Sequence, residues 1–364
     1  MALLIGTTNG LWELDCTPTG RWFWQGGRHR HMLRWQPIAA LAPLPEGGIL
    51  AMTEHARLWY RLPPERRWYH LPIALPGTDA PSGQVRITAL TAAPEDQLWL
   101  GSAPARLFST TITMSPRLTW KTCPAVGDLG DAKQWWGPVD VAAPLVTAVL
   151  LDPRDARSMT VAVAVGGIYH STDGGATWMP QHAGIIPLVH HTSEQYDAHR
   201  NIQRLLRHPR HPDILYAATE SAFYRTLATG DDWTWDDITP AHARESLELP
   251  GDLLPHPHDG DIAFAILPLV EDASCCTLWQ THDSGAQWEE VHGAPILPVP
   301  SHDSSAHTIL PQTIRLCASH AEPPQLAIIT PHGDIMVSAR GDFTSWQRRA
   351  TRLGTVTSVC WEED

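Results

Sequence analysis

Ser171-Thr172-Asp173-Gly174-Gly175-Ala176-Thr177-Trp178 follows the short apolar run Gly167-Ile168-Tyr169-His170. The pattern returns as Thr281-His282-Asp283-Ser284-Gly285-Ala286-Gln287-Trp288, after Thr277-Leu278-Trp279-Gln280. Both copies run Ser or Thr, then Asp, Gly and Trp at the same offsets. The chemistry fits a hairpin turn: Asp accepts hydrogen bonds from turn amides, Gly takes a positive φ, and Trp folds back over the hairpin. An Asp173→Asn change is therefore expected to lower stability, as the loss of a buried, charge-assisted turn bond, and to leave ligand binding intact.

The motif is also a ruler. One interval separates Ser171 from Thr226 and Thr226 from Thr281, and the same interval separates Trp178, Trp233 and Trp288. The middle copy has decayed: Ala228 stands where Asp is expected, while Gly230 and Trp233 stay in frame. Around these marks the chain falls into units of four short β-rich runs, such as 37–43, 48–53, 57–61 and 68–71. No stretch carries a long helical period. The segment 354–361 repeats the first-strand pattern of 85–90 and 145–150 and has no unit of its own to follow it. At the other end, 2–7, the turn Thr8-Asn9-Gly10, 11–14 and Trp22-Phe23-Trp24 supply three strands of a blade that lacks its first.

The expectation is an all-β, seven-bladed β-propeller of four-stranded antiparallel blades, closed by the C-terminal strand joining the N-terminal blade. One domain spans 1–364, with blade 1 from about 1–27 plus 353–361 and blades 2–7 over about 35–350.

The two motifs resemble the Asp-box, or BNR repeat, of sialidase-like propellers in the wider WD40/YVTN-like group. As architecture the resemblance covers nearly the whole chain; as motif it covers only the two boxes. It implies that Ser171, Asp173, Gly175 and Trp178, with Thr281, Asp283, Gly285 and Trp288, are structural and sit on outer hairpins, away from the ligand face. It implies two function classes. One is a glycoside hydrolase. The other is a non-catalytic binding or scaffold propeller, as in photosystem II assembly factors. A sialidase also needs an arginine cluster, a tyrosine nucleophile and an acid/base carboxylate. The nearest counterpart of the family's Arg-Ile-Pro element is Tyr60-Arg61-Leu62-Pro63, at the end of a third strand where the side chain would face the outer hairpin.

Composition narrows the partners. With 26 basic and 39 acidic residues the net charge is −13, which disfavours nucleic acid and anionic membranes. Six cysteines without a C-x-x-C pair read as reduced core residues. The N-terminus lacks a basic signal region, and the longest apolar stretch, around 141–151, is broken by Pro144. The expectation is a cytoplasmic monomer. No Walker loop, dinucleotide fingerprint, G-x-S-x-G or H-E-x-x-H occurs, so neither a cofactor nor a metal is expected. The pairs His190-His191, His29-x-His31 and His256-x-His258 have no companion ligand spacing. The series Arg200, Arg204, Arg207 and Arg210 reads as a solvated or salt-bridged face.

In four-stranded blades the links from each outermost strand to the next innermost strand share one face, around the central channel. Here several are long and rich in His, Trp and acids, and converging loops are where propellers place binding residues. The catalytic candidates are Asp197, His199, Glu194, Asp140 and Asp303, either as a carboxylate pair or as an Asp-oriented imidazole. Candidates for a ligand-binding rim are Trp135, Trp136, His190, His191, Tyr196, Arg200, His302 and His307. The Trp pair suits a sugar or a protein hot spot. The expected partner is a protein, a carbohydrate or another small molecule.

Overall fold

Strands covered on both faces should read as continuous apolar runs, and Ala2–Thr7 and Ala263–Pro268 are buried at every position. The computed structural model describes residues 2–16, 22–23, 31–45, 47–63, 65, 67–76, 85–93, 96–112, 118–123, 144–164, 166–186, 201–230, 233–244, 249, 251–300 and 313–362. Their buried apolar side chains form clusters that each straddle two neighbouring blades. Leu50, Met52, Leu98 and Phe108 fill one seam, for example, and Leu3, Ile5, Ile329 and Val337 fill another. The core is thus a set of seams between sheets, and each sheet contributes to two of them.

Seven blades produce a closed ring. The innermost strands are Val356–Glu362, Ile38–Pro43, Arg86–Ala92, Val146–Asp152, Arg204–Arg207, Leu253–Pro255 and Arg315–Ala318. Each packs beside the next, and the last packs beside the first. In blade 1 the C-terminal strand pairs antiparallel with Ala2–Thr7, setting Leu3 opposite Trp361 and Leu4 opposite Cys360. Gly10–Cys16 and Trp22–Phe23 follow outward. Two features depart from expectation. His31 belongs to a short strand, His31–Met32, that pairs with Gly10–Cys16 while Met32 packs into the seam with blade 2. A parallel ribbon joins Ile73–Ala74 to Leu118–Thr119 outside the blades. No helix among the described residues is long and apolar enough to cross a membrane.

Arg61 does not face the outer hairpin. It is buried, with Nη1 donating to Glu13 Oε2 at 2.8 Å and Nε to Glu362 Oε1 at 3.1 Å. A further bond runs from Nη2 to Glu362 Oε2, and the guanidinium lies 5.2 Å from the Trp68 ring. Because Glu362 ends the closing strand and Glu13 lies on the N-terminal hairpin, this one side chain ties both chain ends to blade 2.

The boxes are hairpin turns with a division of labour. Ser171 Oγ accepts the Gly175 amide at 2.8 Å and donates to Asp173 Oδ1, which also accepts the Thr177 amide at 2.9 Å. Thr281, Gly285, Asp283 and Gln287 repeat the set. Asp173 is exposed, which corrects the expectation of a buried carboxylate. The Thr177 hydroxyl and amide, then Ser171, hold its pKa down to about 2. That contribution is present above the ordinary carboxylate range and is lost only as the pH falls towards 2. The buried member is Ser171. Ser171→Ala, which strands the buried Gly175 amide, should cost about 1–3 kcal/mol in urea unfolding, more than Asp173→Asn. The glycines are needed for packing as well as for the turn. Gly285 has φ +97°, and a Cβ there would meet Ile238 Cβ of the preceding blade at 2.6 Å. Trp288 Nε1 donates to the Ile238 carbonyl at 2.8 Å, so the box latches its blade to the one before.

Candidate functional site

Each innermost strand starts on the face where the outer-to-inner links arrive, so its first residues form the mouth of the channel. In blades 1, 3 and 4 that position is a structural stitch. Thr357 Oγ1 donates to the Ile38 carbonyl at 2.5 Å, Thr88 to Val146 at 2.6 Å, and Thr147 to Ile202 at 2.9 Å. Each of these threonines sits where the inner strand's register slips by one residue, and the bulge aims its side chain at the next blade.

Blades 6 and 7 break this pattern with charge at that position, Asp252 and Arg315, and blade 5 adds Arg204 one residue beyond it. Asp252 is buried and carries the stitch itself. Its Oδ2 accepts the Leu316 amide of blade 7 at 3.2 Å and its Oδ1 accepts the Leu253 amide at 3.1 Å. Arg204 Nε lies 3.3 Å from the same carboxylate. Arg315 is the second cation. Burial, then the nearby Arg204 charge, pulls its pKa down to about 10, with Asp252 opposing. Among the described residues nothing hydrogen-bonds its guanidinium. Two cations therefore share one carboxylate whose oxygens are already committed to backbone amides. A half-buried guanidinium with no hydrogen-bond partner among the described residues is a ready anion ligand. Beside it Asn201 Nδ2 donates to Glu220 Oε2 at 2.9 Å.

None of the rim candidates is brought into this picture. Asp140, Glu194, Asp197, His199 and Asp303 lie outside the described residues, as do Trp135, Trp136, His190, His191, Tyr196, Arg200, His302 and His307. The described ends of their links, Pro144, Asn201 and Thr313, lead into the inner strands of blades 4, 5 and 7. Sequence reading missed Asp252 and Arg315 and treated Arg204 as one of a surface series. A signal existed: Val146-Thr147 and Ile87-Thr88 are answered by Gly251-Asp252 and Ile314-Arg315 at the same strand starts.

The opposite face carries the histidines, as turn caps. His208 Nδ1 accepts the Arg210 and His211 amides at 3.1 and 3.0 Å, and Nε2–H donates to the Asp259 carbonyl of blade 6 at 2.9 Å. His256 Nδ1 accepts the His258 and Asp259 amides, and His258 Nε2–H donates to the Ala321 carbonyl of blade 7 at 3.0 Å. Asp152 does the same work in blade 4, its Oδ1 accepting the Arg154 amide. With Nδ1 committed to amides, the His208 and His256 rings have no free lone pair for a metal, and no group of three or more metal-ligating side chains occurs among the described residues. Arg200 lies outside the described residues; the other members of the arginine series are salt-bridged but share no single face, Arg204 pairing with Asp252, Arg207 with Asp152 and Arg210 with Glu322.

No family model matches the sequence, and no curated protein matches it. Solved structures do. A YCF48 bound to D1 peptide is 15% identical, with a TM-score of 0.54, 86% of this chain and 82% of that one covered. YCF48 from Cyanidioschyzon merolae is 10% identical, with a TM-score of 0.52 and 92% and 94% covered. An ancestral GH74 enzyme is 11% identical, with a TM-score of 0.56, and the match takes in 90% of this chain but only 38% of that one. The chain is a β-propeller. At these identities the likeness extends to the fold alone.

Proposed function

We propose that this propeller is a binding or scaffold protein that takes an anionic group of a protein or small ligand at its channel mouth. The observation that carries the reading is the Arg204–Asp252–Arg315 group, in which two guanidiniums face one carboxylate whose oxygens are engaged by backbone amides. A cation left half-buried without a partner costs stability in the free protein and is repaid only when an anion arrives. A YCF48 structure holds a peptide, which is in keeping with a propeller used for recognition. A glycoside hydrolase instead needs two available carboxylates. The described carboxylates at the mouth are Asp252 and Glu220, and they are engaged by amides and by Asn201. The rim candidates would serve as the surrounding wall.

The test pairs binding with stability. Calorimetric titration of citrate into the native chain should give binding that weakens about tenfold or more in Arg315→Gln, the loss of one charge-assisted anion contact. The same variant, free of ligand, should unfold at higher urea than the native protein. Turnover of aryl glycosides by the native chain would sink the reading, as would equal citrate affinity in the two proteins.

A further inference from the structure

A cleft of about 520 Å³ opens where blade 7 hands over to the closing strand. Its walls include Trp12, Arg348, Arg349, Thr351, Arg352 and Leu353. It lies on the outer part of the ring closure, formed by the outermost strand of blade 7, Asp342–Ala350, and by Trp12 of the N-terminal hairpin. The channel-mouth residues take no part in it.

Its floor is fixed. Arg352 sits in the left-handed region at φ 56°, and its amide donates to Asp334 Oδ1 at 3.0 Å. The Leu353 amide points to the Gly333 carbonyl at 3.4 Å. Those amides are spent, so they form no phosphate nest. What the cleft offers is side-chain charge. Arg348 and Arg352 are exposed, and among the described residues neither guanidinium is ion-paired. Trp12 is half-buried and packs on the seam between blades 7 and 1, which leaves an aromatic wall beside the cations. The net charge of −13 does not cancel this patch. At physiological salt charges act over about 8 Å, so the local cluster decides.

We propose that this cleft docks an acidic peptide segment, with carboxylates on Arg348 and Arg352 and an apolar or aromatic side chain against Trp12. Guanidiniums pair with carboxylates through matched forks, and Trp accepts apolar faces while its neighbours stay wet. The partner is an acidic peptide because exposed guanidiniums and an aromatic side chain line the cleft together, while the amides of 352 and 353 are spent and leave no nest for a phosphate.

The probe is a short fluorescein-labelled peptide alternating Glu and Tyr, read by fluorescence anisotropy against its Gln counterpart. The native chain should bind the Glu peptide and not the Gln one, and more weakly as salt rises. The double variant Arg348→Gln/Arg352→Asn should lose about five- to tenfold in affinity, since exposed pairs each contribute little. Asn suits the left-handed backbone at 352, so the fold should be retained. Set in an Arg315→Gln background, which removes the guanidinium offered to anions at the channel mouth, the double variant should show the same loss. The proposal fails if neither peptide binds, if both bind alike, if the double variant binds normally in that background, or if Arg315→Gln alone abolishes the binding. That last outcome would move the acidic peptide to the mouth, whereas a failed citrate titration leaves this cleft untouched.

Discussion

Replacing Arg61 with Met should lower the unfolding free energy by about 3–5 kcal/mol, measured as a fall in the urea midpoint at neutral pH. The reason is charge left behind. Arg61 is the only described cation bonded to Glu13 and Glu362, whose side chains are 4% and 19% exposed. Met fills much of the stem's volume but takes the guanidinium away from two carboxylates that it holds close together in a seam. A further result identifies that cause. The triple replacement Arg61→Met, Glu13→Leu, Glu362→Leu should recover most of the loss, since a packed apolar trio is often as stable as a buried ion group. Hydrogen exchange would then locate the weakness: in Arg61→Met the strand Val356–Glu362 should lose protection before the inner strands of blades 3 and 4. A native-like urea midpoint for Arg61→Met would mean that the ring closure is held by the Ala2–Thr7 ladder alone.

The contrast between fold and site follows from how each is encoded. The ring is written many times over. Trp178, Trp233 and Trp288 repeat at one interval, and the strand starts Ile87-Thr88, Val146-Thr147 and Val356-Thr357 repeat a local pattern, so even the decayed copy at Thr226–Trp233 can be placed. Closure was legible for the same reason, because a lone first strand at one end matched a missing one at the other. The site is written once. Arg204, Asp252 and Arg315 belong to three different blades, and each alone looks like a charged residue capping an apolar strand. Only the ring brings them together. Burial was also hard to read. A carboxylate that gathers amides can do so from the surface, as Asp173 does, while the hydroxyl two residues earlier is the buried partner. The histidines show the same limit, since His256-x-His258 has the look of a ligand pair and nothing in its spacing marks it as a turn cap with a blade-to-blade bond.

That second face carries the other large effect. His208→Ala should cost about 2–4 kcal/mol, because it leaves the Arg210 and His211 amides and the Asp259 carbonyl without partners and opens a void in a fully buried position. The native ring must be neutral to do this work, since a protonated Nδ1 donates and cannot accept. Burial pushes the pKa of His208 down, and it does the same to His170, His242 and His256. Above about pH 6.5 these rings are neutral in both folded and unfolded chains and the full stability is present. Below it the unfolded chain takes up protons that the folded chain refuses, so stability falls as the pH drops from about 6.5 towards the depressed folded values. Each such ring contributes at most about 1.4 kcal/mol per pH unit over that window. Blade 4 suggests the control, because Asp152 caps the equivalent turn through a carboxylate oxygen. His208→Asn keeps an acceptor for the turn amides and removes a titrating ring. It should retain more stability than His208→Ala at about pH 7.5 and should lose less than the native chain on going to about pH 5.5. Urea midpoints at the two pH values, for all three proteins, decide it. If His208→Asn is as acid-sensitive as the native chain, the neutral His208 cap is not what links blades 5 and 6 against acid.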